Sequence, residues 1–176
     1  MSIGLWVWGA RPKTLVTSIA SVMVGAVMAY VHIERSGTCI AIYPEPASCA
    51  TAREQQTLLM DRFWPVTILC LLVALFLQIA VNYANDYSDG IRGTDAGRDT
   101  DESKSGKPQR LTASGLVPAK HVLFAAMICA AIACICGVVA VVLAQAWWLL
   151  AVGAASLLAG WFYTGGKHPY GYVGLG

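Results

Sequence analysis

Charge is what this sequence has least of. Only 12% of its 176 residues are Asp, Glu, Lys or Arg, while 57% are hydrophobic. An ordinary soluble domain carries about a quarter charged residues. The shortage excludes intrinsic disorder, a coiled coil, and a protein with a dense basic face for nucleic acid. Paired thiol ligands are missing as well. Six Cys are present, none in CxxC spacing, so a zinc or dithiol redox site is not expected. Beyond Glu102 the chain has no acidic residue at all. Internal repeats, low-complexity tracts and a soluble domain boundary are likewise absent.

What is present is apolar length. Thr14–Val31, Phe63–Ala84 and Val122–Tyr163 contain no charged residue, and the last of these runs for 42 residues. As one helix it would reach roughly 63 Å, about twice the hydrocarbon thickness of a bilayer. It must fold back. Gln145-Ala146-Trp147-Trp148, one polar residue followed by two Trp suited to the interface, is the expected apex. The reading is an all-α, polytopic membrane bundle with spans near 14–31, 63–84, 122–144 and 147–163. Helices are required because lipid cannot satisfy open backbone polar groups. The first span is not read as a signal peptide, although Arg11 and Lys13 precede it. Its apolar run exceeds the usual length, and further spans follow.

Residues 32–62 then form an outer loop and 85–120 an inner one. With the N-terminus inside, nine of the 12 Lys and Arg fall on the inner side and three outside, which orients the protein with its N-terminus and the 85–120 loop in the cytoplasm. Small residues four apart, Ser21/Gly25/Ala29 and Ser156/Gly160, permit close helix approach, though such residues are also common in membrane helices. Cys70, Cys129, Cys134 and Cys136 read as small apolar side chains. Cys39 and Cys49 share the outer loop, where a disulfide is chemically permitted.

The chemistry lies in Gln78-Ile-Ala-Val-Asn82-Tyr-Ala-Asn85-Asp86-Tyr-Ser-Asp89-Gly-Ile-Arg92-Gly93-Thr-Asp95. Positions 78, 82, 85, 86 and 89 share one face if the second span continues helically to 89. Gln78 and Asn82 then lie within the apolar window, and the acids at its mouth. Polar groups at such depth usually face a cavity in the bundle. Gly90 and Gly93 allow the chain to turn back and bring Asp95 near Asp86 and Asp89. Three converging carboxylates repel one another unless cations sit between them. Oxygen ligands suit Mg²⁺, which shares its shell with water and phosphate. Arg92, Lys104, Lys107 and Arg110 complete a site for a lipid diphosphate. The alternative is an ordinary solvated loop, the reading given to Asp99, Asp101 and Glu102. An EF-hand fails because Tyr87 and Ala96 occupy ligand positions, and Gly165-Gly166-Lys167 lacks the spacing of a phosphate-binding Walker loop.

The segment from Asn82 to Asp95 resembles the first aspartate-rich motif of the UbiA-type intramembrane prenyltransferases. The six-residue spacing from Asp89 to Asp95 is similar to the branch that acts on 1,4-dihydroxy-2-naphthoate. Trp8-Gly-Ala-Arg11-Pro12-Lys13-Thr14-Leu15, Pro108-Gln-Arg110-Leu-Thr-Ala-Ser114-Gly115 and the run from Tyr163 to Gly176 resemble further signatures of the same family. The resemblance implies nine helices around a cavity and a second aspartate-rich motif, so the chain is expected to be an N-terminal portion. It implies transfer of a polyprenyl group from polyprenyl diphosphate to the naphthoate ring, with loss of the carboxylate, giving demethylmenaquinone. Mg²⁺ would be held by Asp86, Asp89, Asp95 and Asn85. Asn82, Asn85, Arg92, Lys107 and Arg110 would bind diphosphate. Arg11, Lys13, Tyr163 and Lys167 would meet the aromatic acid or anchor the helices at the interface. Two other readings stand beside this one: a sister enzyme with another aromatic acceptor, and a cation carrier whose polar stripe binds the transported ion.

Overall fold

In a computed structural model of the chain, which describes residues 3–36, 46–93, 110–164 and 170–172, every regular element is helical. Helix α1 (Ile3–Gly9) stops where Arg11 adopts a left-handed φ of 53°. Pro12 then opens α2 (Pro12–Ser36) at the first-turn position where a missing N–H is no loss. The bend is tied by Thr14, whose N–H and Oγ1–H both donate to the Arg11 carbonyl at 2.9 Å.

Helix α3 runs from Pro46 to Arg92, 47 residues, or about 70 Å. Much of the expected outer loop is therefore helix. The run between Ala52 and Arg62 is rich in Ala, Arg, Glu, Gln, Leu and Met, all good helix formers. Charge tells where a helix leaves lipid, not where it ends. Pro65 lies inside α3, leaving the Asp61 carbonyl without its usual intrahelical donor. Cys49, in the first turns of α3, is disulfide-bonded, whereas Cys70, Cys129, Cys134 and Cys136 are free. Cys39, the expected partner, lies outside the described residues.

Helix α4 (Ala119–Ala144) ends at Gln145, whose φ is 55° and whose N–H meets the Val141 and Val142 carbonyls. The Gln145 side chain adds a 2.8 Å bond to Val142, so the apex residue satisfies the open helix end itself. The chain reverses there into α5 (Leu149–Thr164), and a single 3₁₀ turn follows at Tyr170–Tyr172. Helices α2, α3 and α4 are long and apolar enough to cross a membrane. At sixteen residues, α5 spans about 24 Å and falls short of the slab, because Trp147 and Trp148 belong to the turn.

The main helix pair is α3 with α4. Val122, Ala126, Ala133, Ala140 and Val141 are the buried positions, and the first four are spaced by four, seven and seven residues, the repeat of a coiled-coil seam. Alanine there lets the backbones approach. The small-residue pairs singled out from sequence do not do this. A Cβ added at Gly25 or Gly160 would find nothing within 4 Å. Small residues bring helices together only where a partner faces them, and among the described residues the partner faces α4.

Candidate functional site

The polar stripe begins as a ladder between α2 and α3. Ser18 donates to Gln78 Oε1 at 2.8 Å, and Gln78 Nε2 donates to Asn82 Oδ1 at 3.3 Å. Asn82 Nδ2 donates to the Ala10 carbonyl at 2.7 Å and to Thr14 Oγ1 at 2.9 Å. Asn82 is 3% exposed, and both its amide hydrogens hold the α1–α2 bend against α3. Buried amides that satisfy each other in this way fix helix position instead of opening a channel.

A turn further along α3, Asp86 is 2% exposed. Its Oδ2 accepts the Leu111 N–H and its Oδ1 the Thr112 N–H, each at 2.9 Å. At about 100° per residue, Tyr83, Asp86 and Gly90 share one side of α3 and Gln78, Asn85 and Asp89 another. The first side receives the 110–117 turn. Leu111 is 0% exposed and forms one cluster with Ala10, Tyr83, Val117, Val122 and Ala126. Gly9 on α1 makes the seat: a Cβ there would come within 2.5 Å of Leu111 Cδ1 and 3.2 Å of Tyr83. Tyr83 in turn donates to the Trp6 carbonyl at 2.9 Å and meets the Trp6 ring edge-on at 5.6 Å. Gly115, with φ 71°, takes the left-handed conformation that glycine adopts without strain.

The second side carries the remaining candidates. Asn85 and Asp89 are half-buried on the last turns of α3, and Arg92 is exposed at its end. Arg110 is half-buried and directly precedes Leu111. Arg11 is half-buried at the α1–α2 bend, and its buried Nη2 has no hydrogen-bond partner among the described residues. Lys13 is exposed. Tyr163, at the end of α5, stacks edge-on against Tyr170 at 5.3 Å. The structure thus brings Arg11, Asn82, Asp86 and Arg110 around one buried cluster, with Asn85 and Asp89 beside it. Asp95, Lys107 and Lys167 lie outside the described residues. Among the described residues no three His, Cys, Asp or Glu side chains gather closely enough to hold a metal.

The sequence predicts that the chain turns back at Gly90 and Gly93. The helix instead continues through Gly90 to Arg92, and Gly93, with φ 70°, ends it. The packing roles of Gly9, Thr14 and Ser18 are not among the sequence expectations. One signal was available: Thr14 and Ser18 stand four apart on α2, as Gln78 and Asn82 do on α3, which is the spacing of two facing ladders.

The family described as "UbiA prenyltransferase family" matches residues 57–176. A 1,4-dihydroxy-2-naphthoate octaprenyltransferase of Mycobacterium tuberculosis (strain ATCC 25618 / H37Rv) is 41% identical over 175 residues, covering 99% of this chain and 48% of that protein. The protein of the same name from Mycobacterium leprae (strain TN) is 37% identical over the same shares. That from Escherichia coli (strain K12) is 29% identical over 97% of this chain and 46% of its own length. The chain spans about half the length of the curated relatives it matches. No solved structure matches it.

Proposed function

The chain belongs to the UbiA prenyltransferase family, and from that premise we propose that the whole protein transfers a polyprenyl group from polyprenyl diphosphate to 1,4-dihydroxy-2-naphthoate in menaquinone synthesis. The observation that carries this is the 41% identity, over 99% of the chain, with a protein named for that transfer. A sister enzyme with another acceptor is not favoured by the relatives' names. A cation carrier is not favoured either, because the family transfers prenyl groups and the acids cluster at one end of α3.

In this reading the mouth of α3 receives the donor's diphosphate. Mg²⁺ ordinarily takes one or two carboxylates and completes its shell with water and phosphate oxygens. Asp86 and Asp89 therefore fit it, Asp86 through the lone pairs that Leu111 and Thr112 leave open, with Asn85 beside them and Asp95 assigned by sequence. When bound, the ion neutralises diphosphate charge and eases its departure. The chain's own groups do the rest. Arg110, Lys107 and Arg92 hold the diphosphate as the allylic C–O bond breaks and its electron pair leaves with the oxygen. Asn85 donates to a diphosphate oxygen. Asn82 serves by fixing the α1–α2 bend, since its amide hydrogens are engaged.

The unpartnered Arg11 Nη2 suits the acceptor's carboxylate, with Lys13, Tyr163 and Lys167 as further contacts. The ring carbon that bears the carboxylate bonds to the allylic carbon. Carbon dioxide then leaves, its bonding electrons return to the ring, and the product is demethylmenaquinone in its quinol form. In this proposal the site faces the cytoplasm at the cell membrane, a reading that the Lys and Arg bias supports.

Membranes containing the whole protein, given labelled polyprenyl diphosphate and the naphthoate, should form a labelled quinone that a chelator abolishes and Mg²⁺ restores. Labelling of hydroxybenzoate in place of the naphthoate would overturn the acceptor assignment.

A further inference from the structure

Asp86 commits both oxygens to successive backbone amides, at 2.9 Å each, and one turn on, Gly90 leaves space that Thr112 fills. A Cβ at Gly90 would overlap Thr112 Cγ2 and Cβ. We propose that Asp86 and Gly90 are positioning residues for the diphosphate-binding bases: together they clamp the backbone at Leu111 and Thr112 and so set where Arg110 presents its guanidinium. This rests on the donor-site reading above and gives Asp86 a duty separate from metal binding. Two amides on one carboxylate form a charge-assisted fork that fixes direction as well as place, and burial strengthens it. Arg110 is held at both ends of its turn. Leu111 follows it directly, and the Ser114 N–H closes on the Arg110 carbonyl at 3.2 Å. An amide in place of the Asp86 carboxylate would retain one acceptor and point a donor at the other N–H.

The test uses Gly90→Ala, which removes no charged group and no donor. In the whole protein it should raise KM for polyprenyl diphosphate about tenfold or more, since small displacements of a binding group weaken productive contacts steeply, and leave KM for the acceptor unchanged. Thr112→Gly introduced alongside it takes away the overlapping atoms and should recover most of the loss. A Gly90→Ala enzyme with unchanged KM, or a double variant no better than the single one, would overturn the proposal. Hydrogen exchange at residues 110–113 in lipid nanodiscs without substrate supplies a readout independent of catalysis. It should be slow in the parent and faster in both Asp86→Asn and Gly90→Ala. Fast exchange in the parent would remove the clamp. Slow exchange in a parent that transfers no prenyl group would sink the donor-site reading, and with it the clamp's link to diphosphate.

Discussion

The two ends of α3 are built in opposite ways. Around Asn82 and Asp86 the helix is tied to α1, the α1–α2 bend, α2 and the 110–117 turn by buried and partly buried hydrogen bonds of 2.7–2.9 Å. Toward Phe63 it meets α2 through the Tyr30 ring, edge-on to Phe63 at 5.5 Å, and beside that contact leaves a cleft of about 440 Å³ bordered by Gly25, Ala29, Phe63, Val66 and Ala144. Polar links at that end are exposed: Arg62 to the Leu143 carbonyl at 3.4 Å and Gln56 to the Glu34 carbonyl at 3.2 Å. Directional bonds between groups that lipid cannot solvate admit few arrangements, whereas apolar contact in lipid gains little over contact with the lipid itself. Rigidity is thus placed where charged side chains must be aimed.

The sharpest way to break this contrast is to empty the packed end. Leu111→Ala removes a side chain with no exposed surface and should destabilise the chain by about 2–5 kcal/mol, measured by unfolding in mixed micelles. Leu158→Ala on the exposed face of α5 should change stability by less than about 0.5 kcal/mol. Equal effects would mean that the cluster at Leu111 is no more rigid than α5.

The contrast was only half legible in the sequence. The stripe from Gln78 to Asp89 could be read because helical periodicity is a local property, and α3 does continue through all five positions. The fork on Asp86 could not, because its partners are the N–H groups of Leu111 and Thr112, which every residue but proline carries and which lie 25 and 26 residues away. Gly9 and Gly90 were opaque for a related reason: what matters is the space they leave for Leu111 and Thr112, and space has no signature without the neighbour. The helical start of α3 is hidden in the sequence because a charged, polar segment suits an exposed helix as well as a loop. Asp95, Lys107 and Lys167, assigned by motif, lie outside the described residues.

A smaller effect sharpens the comparison through glycine at the packed end. Gly9→Ala gains helix propensity but drives a methyl against Leu111 Cδ1 and Cγ, 2.5 and 2.9 Å away, and against the Tyr83 ring. Leu111 is enclosed on its other sides and cannot withdraw. Overpacking should win, with a net loss of about 1–3 kcal/mol in the same micelle titration. An unchanged midpoint would show that α1 does not seat Leu111.

The smallest effect belongs to the far end and tests the openness of the cleft. Gly25 sits within α2 with nothing within 4 Å of where a Cβ would stand. Gly25→Ala therefore meets no neighbour and keeps only the propensity difference, about 1 kcal/mol in favour of alanine in a helix interior. The gain should be smaller in practice, because unfolded helices in micelles retain much of their backbone order. The midpoint should hold steady or rise slightly, the opposite sign to Gly9→Ala for the same added methyl. A clear loss would mean that another surface covers Gly25 in the folded protein, and the two ends of α3 would then differ in their partners and not in their packing.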